Sequence, residues 1–596
     1  MPAPEDEYTQ RLQAREGRAG QLRQLQERIG SARLIMVVVI VATIWYLHGQ
    51  RGVSSAWLFI PVAAFVALVV WHMRARREHS KAQRAVDFYR RGLGRLRDKW
   101  AGTGQQGKDF TDPHHVYSGD LDLFGEGSLF ELLCAARTRM GEETLARWLL
   151  SPATVQEVRG RQAAVEELRS RVALREELAT LGEDASVGVY PGGLLKWAAT
   201  PNGLVAGWIR WVAIVLPPLA VATALLWWLR GLASPFIAVV LIEAGILAAL
   251  GKQINQVING TENSFDGLNL FAQMLLRVEH EPSQAPVLRA LGERLRSHSL
   301  PPSRTMGQLA TIANLAGSRR NQILATLAVP LMYTLWVALA AERWRARHHT
   351  VVQSWADVVG EFEALVSLAG HGYEHPDDPF PEFVDLPSGS FVGVALGHPL
   401  IPAARCVRND VAIEGTTRGL LISGSNMSGK STLMRTVGIN TVLAMAGAPV
   451  RASRLTLTAL QVGASIRVND SLQEGSSRFY AEIKRLRQLL DLAERRDGFP
   501  LLFLLDELLQ GTNSHDRRIG AEGIVRGFLK RGAIGLITTH DLAITDIAGL
   551  EAGALHNVHF QDDLVDARMT FDFTLRDGIV TKSNGVELMR SLGLEV

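Results

Sequence analysis

Residues 419–434, GLLISGSNMSGKSTLM, decide how the rest of the chain is read. Gly419 to Ser423 has the apolar run of a buried strand, GSNMSGKS from Gly424 to Ser431 fits G-x-x-x-x-G-K-[ST], and an apolar helix is expected from Thr432. A strand before and a helix after are the context in which this motif means something. Gly424 and Gly429 let the backbone N–H groups around Ser425, Asn426, Met427 and Ser428 close on phosphate oxygens. The helix start at Lys430, Ser431 and Thr432 adds partial positive charge. Lys430 is expected to reach the β and γ phosphates and the Ser431 hydroxyl to ligate magnesium, so the predicted cofactors are ATP and Mg2+.

Working outward, residues 501–507 (LLFLLDE) read as an apolar strand ending in two carboxylates. Burying charge without a partner is costly, so acids at a strand end belong to a functional edge. Asp506 is expected to hold the magnesium shell and Glu507 to orient or deprotonate the attacking water. One strand later, residues 532–540 (GAIGLITTH) end in His540, placed to hydrogen-bond the γ-phosphate. From Phe391 onward short apolar strands alternate with helices, the pattern of an α/β domain. Upstream, residues 128–150 and 155–181 have the spacing of long packed helices, and residues 265–371 repeat that pattern, broken near Pro282, Pro301 and Pro302. A proline-rich linker begins at His375.

Four segments in order and spacing, GSNMSGKST, DSLQEGSSRFYAEI (470–483), DELLQGTNSHD (506–516) and TTHDL (538–542), resemble the ATPase domain of MutS DNA mismatch repair proteins. The resemblance is strong over about residues 385–596. It extends more weakly to SLFELLCAARTRMGEETLARWLLSP (128–152) and VRGRQAAVEEL (158–168), which look like the start of the MutS helical core. It implies a dimer with two composite ATP sites, in which Ser477, flanked by Arg478 and Glu482, completes the site of the other subunit. It also implies a phosphate-loop role for Asn426 and Met427, a dimer-facing loop at Gly511 and Thr512, a switch role for His540, and an adenine-side motif at Asn409 and Asp410.

Departures from the family pattern matter as much. Where mismatch-recognising members carry an N-terminal domain with a Phe-x-Glu wedge and then a connector domain, this sequence has an apolar hairpin and short helices and no visible mismatch reader; Cys406 stands where an adenine-stacking aromatic is common, and Leu509 and Gln510 replace a Gly-Arg pair. The family's extra C-terminal dimerisation helices are expected to be short or absent after residues 583–594.

The place of the missing N-terminal domain is taken by apolar sequence. Residues 34–47 (LIMVVVIVATIWYL) and 56–71 form one apolar pair behind a charged helical lead. Residues 208–229 and 236–250 form another. With their Trp, Tyr or His flanks the first two runs approach the roughly 20 residues that span a bilayer, so both pairs are read as transmembrane hairpins. A signal peptide is disfavoured by the long polar lead and the immediate second run, and a buried core hairpin is the alternative for the second pair. Arg74, Arg76, Arg77, Lys81 and Arg84 follow the second span, whereas the first connecting loop carries only Arg51, which puts the side after span two in the cytoplasm. A fifth apolar run, 323–341, is expected to be a buried helix, since a fifth crossing would carry the nucleotide site away from ATP.

The predicted fold class is therefore multi-domain. It comprises a charged lead (1–33), hairpin 1 (34–73), a MutS-core-like helical segment (74–207), hairpin 2 (208–251), a second helical segment (252–384) and an ABC-like α/β P-loop ATPase domain (385–596). The 596 residues carry two cysteines, Cys134 and Cys406, too few for a disulfide framework. A net charge of +3 does not by itself mark a nucleic-acid binder. The function expected is a membrane-anchored, dimeric ATPase in the cytoplasmic membrane, with its ATPase domain in the cytoplasm and membrane lipid around its hairpins. Any DNA contact is expected to be dominated by phosphates, with Arg-bearing stretches 318–322 and 342–349 as candidates and no mismatch preference. The alternatives from other classes are an ABC-like transport or remodelling ATPase and a membrane scaffold that binds ATP as a ligand.

Overall fold

A computed structural model describes residues 3–49, 54–182, 191–199, 207–262, 265–296, 300–318, 328–467, 478–495, 498–510, 512–540, 553–565 and 568–580. The N-terminal part is helical. α1 (Pro4–Gly49) carries the charged lead and the first apolar run in one unbroken helix, because only Gly30 weakens helical propensity between them. α2 (Phe59–Leu96) returns through the second apolar run and continues into charged sequence. Beyond the apolar part the two helices close on each other through Ala19, Ala82 and Val86, and then through Tyr8 and Tyr89.

Five shorter helices follow: α3 (Leu129–Leu133), α4 (Arg139–Leu150), α5 (Val155–Arg169), α6 (Val172–Thr180) and α7 (Pro191–Ala199). The stretch 128–150, expected as one helix, is two. Thr138 caps α4 by accepting from the Gly141 N–H (3.3 Å), while the buried Glu363 carboxylate accepts from the Arg137 and Thr138 N–H groups (2.7 and 3.2 Å). The stretch 155–181 is likewise divided, at Ser170 and Arg171.

α8 (Gly207–Arg230) and α9 (Ser234–Glu262) form the second apolar pair. By length and composition, four described helices, α1, α2, α8 and α9, are long and apolar enough to cross a membrane. Their large apolar side chains face outward: Trp45 is 80% exposed and Trp228 82%. That surface is far more apolar than a water-facing one.

α10 (Phe265–Glu279), α11 (Pro286–Arg296), α12 (Pro302–Gly317), α13 (Tyr333–His348) and α14 (Val352–Glu374) complete the helical part. Of the apolar run 323–341, residues 323–327 lie outside the described residues. The helix begins at Tyr333, after Met332 at φ 43°, and Leu335, Val337, Ala338, Leu339 and Ala341 are buried. Of the two candidate basic stretches, 319–322 lies outside the described residues. In the other, Arg345 is no surface cation: it is 3% exposed and donates to both Glu342 oxygens (2.6 and 2.7 Å).

The α/β part has two sheets. β1 (Glu382–Phe383), β2 (Phe391–Leu396), β3 (Asn409–Ile413) and β5 (Arg454–Leu457) form one, in the order β1-β5-β2-β3. The other contains β4 (Gly419–Ser423), β6 (Gln461–Ser465), β7 (Leu501–Leu505), β8 (Ile534–Thr539), β9 (Leu555–Val565) and β10 (Arg568–Asp577), in the order β10-β9-β4-β8-β7-β6. All its neighbours are parallel except the β9–β10 hairpin. Every residue of β4, β7 and β8 is buried, as parallel strands covered on both faces require. α15 (Lys430–Ala446), α16 (Arg478–Ala493) and α17 (Ser514–Lys530) pack on this sheet. One apolar core runs from Leu145 and Val158 in the helical part through Val437 and Leu443 of α15 to Leu504 of β7, so α15 is held from both sides.

Candidate functional site

The site lies at the carboxyl ends of β4, β7 and β8, the edge of a parallel sheet where the chain must turn out into loops. β4 delivers Gly424 to Gly429. Gly424 at φ 152° and Gly429 at φ 105° open this loop. A Cβ on Gly424 would stand 2.9 Å from Ser428 Oγ and 3.0 Å from the Phe560 carbonyl, and one on Gly429 3.2 Å from the Phe573 ring. Met427, at φ 72° and 86% exposed, forms the loop's tip beside Asn426. The Ser425 and Ser428 hydroxyls are buried without a hydrogen-bond partner. Orphaned donors in a glycine-opened loop at a helix start are what a phosphate group would satisfy.

Lys430, the first residue of α15, is 4% exposed and donates to the Gly424 and Ser425 carbonyls (2.8 and 2.7 Å). Burial draws its pKa below the usual range, against the attraction of Glu507, Asp506 and Asp562. Ser431 Oγ donates to Asp506 Oδ2 (2.6 Å), which ties the glycine loop to the acidic end of β7 although 75 residues separate them. Thr432, next on α15, lines the cavity described below. The other Asp506 oxygen accepts from Thr538 Oγ1, and that hydroxyl accepts from the Glu507 N–H (3.0 Å). The bridge made by Thr538 was not foreseen: TTHDL marks the segment, but what its first threonine meets depends on β8 lying beside β7.

Glu507 sits at φ 49°, a left-handed conformation unusual for a glutamate and characteristic of a side chain held at a functional turn. One carboxylate oxygen accepts from Gln510 Nε2, and the other lies 3.5 Å from His540 Nδ1. The structure therefore brings Lys430, Ser431, Asp506, Glu507 and His540 to one edge. Glu482 of α16 is buried and accepts from the Leu509 N–H (2.7 Å), bracing the turn after Glu507. Ser477 and Gly511 lie outside the described residues.

A cavity of about 250 Å3 opens beside the glycine loop, lined by Cys406, Asn409, Thr432, Phe560 and Phe573 among others. Cys406 is part of its wall, and the aromatic rings come from the distant β9–β10 hairpin. Asn409 pins that hairpin: its Nδ2 donates to the Phe573 carbonyl (3.0 Å) and its Oδ1 accepts from the Leu575 N–H (2.7 Å). Asp410 instead accepts from the Ala395 N–H (2.7 Å), which supports a left-handed turn in β2. His398, also in the wall, is pushed down to about 4 by burial and by the nearby Arg435 cation.

The site is further tied to the helical part. Asp120 accepts from the Ile466 and Arg467 N–H groups (2.9 and 2.6 Å) at the end of β6, and Asp122 pairs with Arg435 of α15 (2.9 Å) and with Arg467. No group of three or more metal-ligating side chains is found among the described residues. The Ser431 hydroxyl and Asp506 carboxylate nevertheless make an oxygen donor set of the kind magnesium takes when phosphates and water complete its shell.

Residues 420–595 match the family model described as MutS domain V, and residues 115–189 match MutS domain III. Endonuclease MutS2 of Thermus thermophilus is 35% identical over 198 residues, 33% of this chain and 25% of that protein. DNA mismatch repair protein MutS of Brevibacillus brevis is 31% identical over 267 residues, 44% of this chain and 30% of that protein. DNA mismatch repair protein MutS 2 of Halobacterium salinarum is 32% identical over 263 residues, 43% of this chain and 28% of that protein. The matched stretches thus cover less than a third of each relative's length.

Proposed function

Because the chain belongs to the MutS family, we propose that it is a magnesium-dependent ATPase whose α/β domains dimerise around ATP and whose two helical hairpins anchor it in the cytoplasmic membrane. The observation that carries the reading is the Ser431–Asp506 hydrogen bond beside the orphaned Ser425 and Ser428 hydroxyls, which unites two motifs far apart in sequence. In this reading the loop Gly424 to Thr432 holds the phosphates and Lys430 turns from its carbonyl partners to the β and γ phosphates. Ser431 and Asp506 hold magnesium, which supplies charge neutralisation on the phosphates when bound. Glu507 orients or deprotonates the attacking water once Gln510 releases it, and His540 hydrogen-bonds the γ-phosphate. Ser477 reaches the nucleotide of the other subunit, so each site is complete only in a dimer.

The membrane part rests on four long apolar helices with outward-facing Trp, Leu and Phe, and on the arginines that follow the second. In this reading the ATPase domain lies in the cytoplasm. DNA binding, if the chain retains it, is phosphate-dominated, weak and indifferent to mismatches. The burial of Arg345 against Glu342 removes one candidate phosphate contact and favours the second reading, a membrane ATPase with no DNA role.

Measuring ATP turnover of the purified protein, with and without matched, mismatched and branched DNA at two salt concentrations, tests both. Magnesium-dependent turnover is expected, with DNA effects small, salt-sensitive and equal for matched and mismatched duplexes. Absence of hydrolysis contradicts the ATPase reading, and a mismatch preference that survives higher salt contradicts the account of DNA.

A further inference from the structure

Away from the nucleotide site, a second cavity gathers four arginines, of which Arg95 alone is ion-paired with a carboxylate among the described residues. Arg91 and Arg95 of α2, Arg137 from the α3–α4 turn and Arg175 of α6 surround a space of about 120 Å3, with Trp100 and Cys134 at its sides. Arg175 is 4% exposed. Its Nη1 donates to the Leu168 and Arg169 carbonyls (3.1 and 2.8 Å) and its guanidinium lies over the Tyr373 ring (4.8 Å to the centroid) near the Tyr8 hydroxyl, which leaves Nε and Nη2 buried with no well-formed hydrogen bond. Arg137 donates from Nη2 to the Leu181 carbonyl (3.1 Å) and leaves Nε buried and unpartnered. Burial and the like charges of Arg84 and Arg91 push its pKa down to about 10.

The nearby carboxylates already have partners. Glu374 is held by both forks of Arg95 (2.6 Å each). Glu131 accepts from the Gly104 and Gly127 N–H groups (2.9 and 2.8 Å). Glu363 accepts from the Arg137 and Thr138 N–H groups and is pushed up to about 7 by its burial, so it is a poor counter-ion at neutral pH. Buried guanidinium N–H groups without acceptors are strongly unfavourable, so an acceptor is missing.

We propose that this cavity is a binding site for a phosphate-bearing anion of phosphate to pyrophosphate size, whose oxygens supply the acceptors that Arg137 and Arg175 lack. Planar guanidinium forks converging from three elements match a tetrahedral oxyanion better than a planar carboxylate. The volume admits one or two phosphoryl groups and no acyl chain. On the membrane reading above, Arg91 lies about 25 Å along α2 from the arginines at the membrane face, at ~1.5 Å per residue, which favours a soluble anion over a lipid headgroup. Val366 of α14 closes the cavity, and Arg95 ties α2 to the last residue of α14 just before the α/β part. A bound anion would therefore stiffen the joint between the first hairpin and the α/β domain.

The test is calorimetric titration of pyrophosphate and inorganic phosphate into the full chain in phosphatidylcholine nanodiscs. The protein carries Lys430→Ala so that the glycine loop does not contribute. Saturable pyrophosphate binding is expected, weakened at least about tenfold by Arg137→Gln and by Arg91→Gln. Arg91 is on the exposed side of α2, so its variant should melt like the parent without anion, which separates lost binding from lost folding. No binding of either anion, or equal affinity in both arginine variants, overturns the proposal. A second arm adds phosphatidic acid to the nanodiscs. Arginine-dependent binding there and not to pyrophosphate would keep the phosphate chemistry and overturn the soluble source, and with it the placement of the membrane on α2.

Discussion

In the α/β part the apolar residues are inside and the charges stand at one edge; in the hairpins the apolar residues are outside. β4, β7 and β8 bury every residue and deliver Lys430, Asp506, Glu507 and His540 to a common edge. α1, α2, α8 and α9 expose Trp45, Phe59 and Trp228 and, apart from the buried Glu243 in the middle of α9, keep their charges near the ends or in the sequence that continues the apolar runs. The same hydrophobic effect produces both patterns, and the difference is the solvent each surface is built to meet. On the proposed reading, one half is organised around a charged ligand and the other around an apolar medium.

The largest expected effect comes from Glu507→Gln. ATP binding should persist while hydrolysis falls at least about 100-fold, the order lost when a water-positioning base is removed. Normal single-turnover rates in this variant would move the chemistry to another residue. Asn409→Ala should weaken ATP binding about tenfold, because two hydrogen bonds that hold the Phe573 strand over the cavity are lost. An unchanged dissociation constant would show that the hairpin does not depend on that staple.

His398 gives a smaller effect, read as stability against pH. Its folded-state pKa is depressed, so the unfolded chain binds more protons between pH 6.5 and about 4, and stability falls as pH drops through that window. The contribution is on the order of 3 kcal/mol. His398→Asn should melt with a shallower acid dependence below pH 6.5, and an identical pH profile for variant and wild type would remove the buried neutral histidine from the account. For the apolar half, cysteines placed at Arg51 and Arg77 should label from opposite sides of sealed vesicles. Labelling of both from one side would mean that α1 and α2 do not form a spanning hairpin.

That the glycine loop, the acidic strand end and His540 stand together was legible, because each lies in a segment whose residue types recur at fixed spacings. The Thr538 bridge, the Gln510 contact on Glu507 and the Phe560 and Phe573 wall were not, because each depends on strands brought together by sheet order rather than by sequence. In the helical part the apolar runs were legible by length and composition. The break at Cys134 to Thr138 was hidden, since it is set by Glu363, over 200 residues away, capturing the Arg137 and Thr138 N–H groups. Arg345, which a linear reading leaves on the surface, is buried because Glu342 lies one helical turn before it.

The central claim is that the loop from Gly424 to Thr432 binds ATP through Lys430. Its most direct test is the equilibrium affinity of the purified protein for ATP with magnesium, measured side by side for wild type and Lys430→Ala. The account predicts saturable binding in the wild type that is lost in the variant, since no other side chain in the loop is cationic. Equal affinity in the two proteins would contradict it.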